Sequence, residues 1–234
     1  MMTPFPAPRR AGFALVAVLS AIIILVALFV VTLTRLQGQV MRLAAESSLI
    51  ALQSLNQSAL TFVLAAHQAA DFDPSLPLEL VLGGTNYSLR LQDAGGLIDV
   101  NTANSRLIEA LLVRLELSDG ALERWRAFRR DGARFLSLGH FVQVVGGRRD
   151  LLDTLPGLAT VFSGRTGVAP ESAPSEVIAI LREIAGPRDL PLELVSPPSG
   201  KTFVVLIETD SGRRLAGTVF LGPDMAAGRV LELN

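Results

Sequence analysis

The chain has 234 residues, of which 50% are hydrophobic, with 22 acidic and 21 basic residues and no cysteine. A formal net charge of −1 argues against bulk electrostatic attraction to nucleic acid. The lack of cysteine excludes disulfides and thiolate metal sites. The length allows one or two domains with a buried core.

The chain begins with a candidate membrane span. Residues 13–33 form an apolar run without a charge, preceded by Arg9 and Arg10 and stopped by Arg35. A bilayer core requires about 20 apolar residues, whereas a secretory signal has a shorter core and a small-x-small cleavage site. The positive-inside rule places residues 1–12 in the cytoplasm. The pattern predicts one inner-membrane pass, residues 13–34, with the body in the periplasm.

A helix is expected to continue beyond the span, over residues 35–70, and to end before Pro74 and Pro77. Apolar and small residues recur there at spacings of three and four, which indicates an amphipathic helix. The positions are Leu36, Val40, Leu43, Ser47 and Ile50.

The body is predicted to be α+β. Short apolar runs at 78–82 and 87–92 flank a turn at 83–86, and runs at 202–209 and 214–221 flank a turn at 210–213, so both pairs predict hairpins. A further strand is expected at 230–233, and helical patterns lie at 105–117, 119–130, 138–145, 150–154 and 175–184. We therefore expect an α+β domain formed by 71–100 and 200–234, with an α-helical domain, 101–199, inserted into it.

The start of the chain resembles the class III leader of type IV pilins and pseudopilins, because a short basic leader ends in Gly12 and is followed by Phe13 and the apolar span. The resemblance implies that residues 1–12 are a leader, that a prepilin peptidase cleaves after Gly12, and that Phe13 is then N-methylated. Most such proteins have glutamate at the fifth mature position, which is Ala17 here. An unpaired carboxylate in a membrane is costly, and among pseudopilins the K-type typically lacks it.

The central segment also resembles K-type minor pseudopilins of the type II secretion system. Residues 93–103, which read Asp-Ala-Gly-Gly-Leu-Ile-Asp-Val-Asn-Thr-Ala, are followed by Trp125 and by Val145-Gly146 in the family's order. The resemblance implies a small pseudopilin-like domain with antiparallel strands and a large inserted all-α domain of helix-hairpin-helix or SAM-like type.

This family implies a non-enzymatic subunit at the tip of the pseudopilus, which initiates or caps the filament for protein export across the outer membrane. The implied partners are the I-type and J-type minor pseudopilins, with the stripe from Leu36 to Ile50 as the helix contact, because small and apolar residues let helices approach closely. No cofactor and no small-molecule substrate are expected. Some family members hold calcium, but the region after Trp125 is basic and offers only Asp131, so no calcium ligands are assigned.

A membrane-anchored DNA receptor of the competence type is the alternative. Residues 121–150 contain seven arginines against three acids, and their pattern also looks like tandem helix-hairpin-helix modules. Such modules bind phosphate through hairpin amides and basic side chains. The usual Gly-hydrophobic-Gly turn is missing, since 117–120 carries Asp119 and 145–147 fits only in part. Nucleic acid is therefore not the expected partner.

Other polar residues are interpreted as structural. Asn101 and Thr102 are predicted to cap the next helix, and Asp93, Asp99 and Asp119 are predicted turn or cap residues.

No enzyme motif is found. The two histidines, His67 and His140, lie far apart without a Glu-x-x-His pattern. Residues 199–202, Ser-Gly-Lys-Thr, resemble the end of a phosphate loop but lack its first glycine, and they predict a turn before Phe203.

Overall fold

A computed structural model describes residues 11–69, 71–117, 120–130, 132–186, 189–209, 212–222 and 228–233. The chain divides into two compact units, the first ending at Leu52 and the second beginning at Gln53. Helix α1 (Ala11–Ala66) contributes its first part to the first unit and its last turns to the second. Within the described residues, all other helices and strands belong to the second unit.

The sequence of the first unit favours an uninterrupted helix. Between residues 13 and 37 there is neither proline nor glycine, so every backbone amide can join the helix. The hydroxyls of Ser20, Thr32 and Thr34 donate to the carbonyl four residues earlier, at 2.9, 2.8 and 3.1 Å. These hydroxyls are therefore satisfied without a partner outside the helix, as an apolar environment requires.

Helix α1 ends at Ala66, four residues before the predicted boundary. The amides of Gln68 and Ala69 bond the carbonyls three residues earlier, at 3.1 and 2.9 Å. These tighter bonds satisfy the last carbonyls of the helix, so the chain leaves it in a turn before Pro74 is reached.

The remaining elements alternate between strands and short helices. The strands are β1 (Leu78–Leu82), β2 (Thr85–Asp93), β3 (Ile98–Asp99), β4 (Ala159–Thr160), β5 (Thr202–Thr209), β6 (Gly212–Phe220) and β7 (Arg229–Leu233). The helices are α2 (Ser105–Arg114), α3 (Gly120–Arg130), α4 (Leu138–Val145) and α5 (Ser175–Ala185). Short 3₁₀ helices lie at Ala94–Gly96, Arg149–Asp153, Leu155–Gly157, Pro170–Ser172 and Leu192–Leu194. The protein is α+β, as predicted.

The main sheet has five antiparallel strands in the order β1-β2-β5-β6-β7. The predicted hairpin between β1 and β2 is confirmed, but its turn is shorter than expected. Gly83 and Gly84, with φ of 57° and 80°, form the turn alone, while Thr85 and Asn86 already pair with β1. A two-residue turn with positive φ at both positions matches the twist of the strands. The hairpin between β5 and β6 is also confirmed, but Gly212 and Arg213, which were predicted in its turn, already pair with β5.

Each face of this sheet packs against a different layer of the second unit. On one face, Leu60 and Val63 of α1 contribute to a core with Leu89, Val205 and Ile207. The β5 residues that alternate with these point to the other face, where Val204 belongs to the core of the helical segment. The sheet is therefore the middle layer between the end of α1 and the helices.

The helices α2 to α5 come from the stretch between β2 and β5. Their core includes Leu107, Leu111, Phe141, Ile180 and Leu181, all with 0% of their surface exposed. This stretch also holds the two-residue β4, which pairs in parallel with β3. The predicted helix at 150–154 is a 3₁₀ helix at Arg149–Asp153.

Candidate functional site

The predicted processing site lies at the start of helix α1. Gly12 and Phe13 are the second and third residues of the helix as described. Residues 1–10, which contain most of the predicted leader, lie outside the described residues, and so do the side chains of residues 11–15. Cleavage and methylation at this junction stay predictions.

Helix α1 is, among the described residues, the one helix long and apolar enough to cross a membrane, judged by length and composition. Its most apolar window has a mean hydropathy of 3.1 and no buried residue. At 1.5 Å per residue, residues 13–33 extend over roughly 31 Å, close to the thickness of a bilayer core. The described side chains of residues 16–33 have nothing to cover them within the first unit, which is consistent with a membrane anchor.

The predicted partner stripe is exposed wherever its side chains are described. Leu36, Leu43 and Ile50 have 51%, 65% and 66% of their surface exposed, and Ser47 is also exposed. The side chain of Val40 lies outside the described part of the chain. The stripe is thus available for a partner helix, and the contact itself stays a prediction.

Asp93 is the first residue of the segment 93–103 that resembles the K-type family. It lies at the end of strand β2, where the sheet meets the helical segment. The Asp93 carboxylate accepts the backbone amides of Gly95, Ser199 and Gly200 at 2.6, 2.9 and 2.7 Å. The predicted turn role of Asp93 is confirmed. The predicted turn at 199–202 is also confirmed, because the Ser199 hydroxyl accepts the amide of Thr202 at 2.8 Å.

The two glycines after Asp93 allow close backbone contacts. A Cβ at Gly95 would lie 2.5 Å from the Ser199 nitrogen, and one at Gly96 would lie 2.2 Å from the Ser172 oxygen. Any side chain at either position would force the backbone apart. The Gly-Gly pair in this segment therefore has a steric reason.

Val100 and Asn101, in the same segment, bond three distant parts of the helical core, at Trp125, Phe135 and Val161. The Asn101 side chain, whose residue is 6% exposed, donates to the carbonyls of Phe135 and Val161 at 3.0 and 3.3 Å and accepts the Phe135 amide at 2.7 Å. The single tryptophan, Trp125, donates its indole N–H to the Val100 carbonyl at 2.9 Å. Asn101 therefore acts as a buried bridge.

The prediction that Asn101 and Thr102 cap helix α2 is wrong. Asn104 is the cap, and its side chain accepts the Arg106 amide at 3.0 Å. The Thr102 hydroxyl instead donates to the Arg165 carbonyl at 2.6 Å. The error has a simple cause, because asparagine is preferred both as a cap and as a buried bridge, and only the tertiary structure decides between them.

Asp99 has a turn role, as predicted, and also a longer-range one. Its buried carboxylate accepts the amides of Asn101 and Gly164 at 2.8 and 2.7 Å and the Ser163 hydroxyl at 3.1 Å. Asp119 and Asp131 lie outside the described residues. Within the described part of the chain, no group of three or more His, Asp or Glu side chains is placed to hold a metal ion.

The turn after helix α4, which fits a phosphate-binding hairpin in part, has its amides occupied. Gly146 adopts φ of 74°, its amide bonds the Gln143 carbonyl at 3.3 Å, and the Gly147 amide bonds the Val142 carbonyl at 2.8 Å. This is the glycine-terminated helix end that satisfies its own carbonyls. Arg124 also donates to the Val145 carbonyl, at 2.6 Å through one of its terminal nitrogens. The geometry therefore does not favour phosphate binding at this turn.

The two histidines lie in unrelated environments. His67 bonds the Gly222 carbonyl through Nε2 at 3.0 Å, whereas His140 packs edge-on against Phe128 and Phe135, with centroids 5.2 and 5.7 Å away. Neither arrangement provides a nucleophile and base in contact. Both histidines have a packing role.

These features define an α+β protein with one N-terminal helix suited to a membrane and a helical segment packed on its sheet. Comparisons with family models and with curated proteins give no match.

Among solved structures, the chain is similar to a chain in the crystal structure of the GspK-GspI-GspJ complex from the type 2 secretion system of enterotoxigenic Escherichia coli. The TM-score is 0.49 and the sequence identity 14%, and the match covers 81% of this chain and 97% of that chain. A similarity of this size assigns no function by itself.

Proposed function

We propose that the protein is a minor pseudopilin of the K-type, a non-enzymatic subunit of a type II secretion system. The observation that carries the proposal is helix α1. Its apolar part is uncovered from residue 16 onward, and its last turns, with Ala59, Leu60 and Val63, are buried against an antiparallel sheet. One helix therefore combines a membrane anchor with the core of a folded body.

The charge pattern supports an orientation with the body in the periplasm. Arg9 and Arg10 precede the apolar run, so the start of the chain stays in the cytoplasm and the body crosses the inner membrane. In this role a prepilin peptidase removes residues 1–12, and the new terminus at Phe13 is methylated.

Two features support a position at the tip, in contact with I-type and J-type subunits. Ala17 stands where a buried glutamate would otherwise pair with a neighbouring subunit, so this chain brings no unpaired carboxylate into the membrane. The helical segment between β2 and β5 adds bulk to the body, and this bulk would hinder extension of the filament over the subunit.

The leader assignment is tested by Gly12→Asp. The substitution places a side chain and a charge at the cleavage position, so the precursor should accumulate and secretion should stop. A Thr3→Asp variant adds the same charge within the leader but away from the junction, and it should be processed normally. Normal processing of Gly12→Asp would contradict the assignment.

The partner contact is tested by two matched double variants in the first unit. Leu43→Glu with Ile50→Glu places charges on the predicted stripe, and it should abolish co-purification with the I-type and J-type subunits. Met41→Glu with Leu52→Glu changes residues that are also exposed, at 75% and 41%, but lie about half a turn away around the helix. Equal behaviour of the two variants would place the interface elsewhere.

A further inference from the structure

Helix α3 and the turn that follows it concentrate positive charge. Residues 124–149 contain seven arginines and a single acid, Asp131, although the whole chain has a formal net charge of −1. The charge is therefore local, and the minor pseudopilin role proposed above does not account for it.

Several of these arginines have structural partners. Arg124 donates to the Val145 carbonyl and Arg129 to the Ala133 carbonyl, while Arg148 pairs with Asp150 at 2.7 Å. The two carbonyl contacts hold the Arg124 and Arg129 side chains against the backbone.

Three further arginines are exposed on the C-terminal half of α3 and just beyond it, whereas Arg149, also exposed, follows α4. Arg126 and Arg130, four residues apart, are neighbours on the exposed face of the helix, and Arg134 is exposed just beyond the turn. Arg126 contacts Glu123 at 2.6 Å, and within the described part of the chain no ion pair is seen for Arg130 or Arg134. With Leu136, which is 78% exposed, they form what we call the arginine face.

Hydrogen bonds and aromatic packing hold the backbone next to the arginine face. The Gly132 amide bonds the Arg129 carbonyl at 3.0 Å, and the Arg129 side chain reaches across to Ala133, so the turn is held from both sides. Phe128 and Phe135 stack beneath it with centroids 4.4 Å apart. These contacts hold the backbone near Arg134 in place, so binding has to order mainly the exposed arginine side chains.

We propose that the arginine face binds an acidic segment of a partner protein that also carries an apolar side chain for Leu136. Charge complementarity selects an anionic partner and accelerates its association. An exposed leucine among arginines is typical of a protein interface, where both apolar and arginine contacts contribute. Binding here does not depend on a role in a pseudopilus.

Nucleic acid fits this face less well. A phosphate backbone offers no apolar group to Leu136, which is 78% exposed. The amides of Gly146 and Gly147 at the end of α4, which could otherwise bind phosphate, are bonded within the chain. A protein segment is therefore the partner class that these contacts favour.

The test measures binding of defined probes to the full chain in detergent at physiological ionic strength. The probes are a labelled glutamate peptide with a central leucine, the matching glutamine peptide, and single- and double-stranded DNA of equal formal charge. Only the glutamate-leucine peptide should bind well, and added salt should weaken it. Failure of that peptide to bind, or DNA binding of equal strength, would overturn the proposal.

Variants locate the site. Combined Arg126→Glu, Arg130→Glu and Arg134→Glu should weaken binding by about tenfold or more, since each exposed charge contact contributes a small increment. Arg148→Glu with Arg149→Glu, beyond the far end of α4, should change binding by less than about twofold because these charges are screened at that distance. Equal losses in the two sets would overturn the assignment to the arginine face.

Leu136→Ser tests the partner class with no change in charge, and it should weaken peptide binding by about threefold or more through lost apolar contact. Unchanged binding would overturn the choice of a leucine-bearing protein segment. The unfolding midpoint of each variant is compared with that of the parent chain. If the charge-reversed triple variant does not fold, the same three arginines are changed to glutamine and the same comparison applies.

Discussion

Replacement of Asn101 by alanine tests the claim that this side chain is a buried bridge. The substitution removes three hydrogen bonds, at 2.7, 3.0 and 3.3 Å, and leaves the amide and carbonyl of Phe135 and the carbonyl of Val161 without that partner. A buried polar group left unsatisfied costs about 1–3 kcal/mol. Because the bond to Val161 is long, we expect Asn101→Ala to lower the free energy of unfolding by about 3 kcal/mol in total.

Asn104→Ala is the matched control, since it removes an asparagine from the true cap of helix α2. It should cost about 1 kcal/mol, as the loss of a helix cap usually does. Urea unfolding of the full chain in detergent can be followed by fluorescence of Trp125, the single tryptophan, which bonds the residue before Asn101. The slope of the unfolding free energy against urea concentration should be the same for both variants and the parent chain. Differences between their unfolding midpoints then report differences in stability. A cost for Asn101→Ala no larger than that for Asn104→Ala would refute the bridge.

Two further predictions concern the sheet. Gly217→Ala would place a Cβ 2.3 Å from the Glu232 carbonyl oxygen and 2.9 Å from Leu60 Cδ1. It should therefore destabilise the second unit by about 1–3 kcal/mol in the same urea assay. Gly157→Ala is the control, because a Cβ there has nothing within 4 Å, and it should be near neutral. Burial raises the pKa of Glu232 above its ordinary 4.5. The folded state then holds its proton to higher pH, so this contribution to stability is complete below pH 4.5 and is lost as pH rises through the raised pKa. Glu232→Gln should therefore gain stability relative to the parent chain as pH rises from about 4 to about 7, measured as free energies of unfolding. A difference between the two chains that stays the same across this range would contradict the burial effect.

Local patterns were sufficient for much of the fold. The hairpins at both ends of the body follow from short apolar runs around turns, and the helical segment follows from apolar spacing. The turn between β1 and β2 was predicted too long because Asn86 is a typical turn residue, so it and Thr85 were grouped with the two glycines. Pairing with Val81 and Leu82 decides their place in the sheet.

Long-range contacts explain what the sequence could not predict. Asn101 bonds residues 34 and 60 positions away, and the Asp93 carboxylate bonds amides 106 and 107 positions away. No local spacing encodes such partners. The positions of the arginine face were visible in the sequence, but the division between arginines that hold the turn and arginines left on the surface required the structure.

The assignment to the minor pseudopilins is tested most directly by the intact mass of the protein isolated from its native membrane. A mature chain that starts at N-methylated Phe13 is the predicted result, because it requires cleavage after Gly12 by a prepilin peptidase. A chain that still carries Arg9 and Arg10 would contradict the assignment and would leave an ordinary membrane-anchored protein.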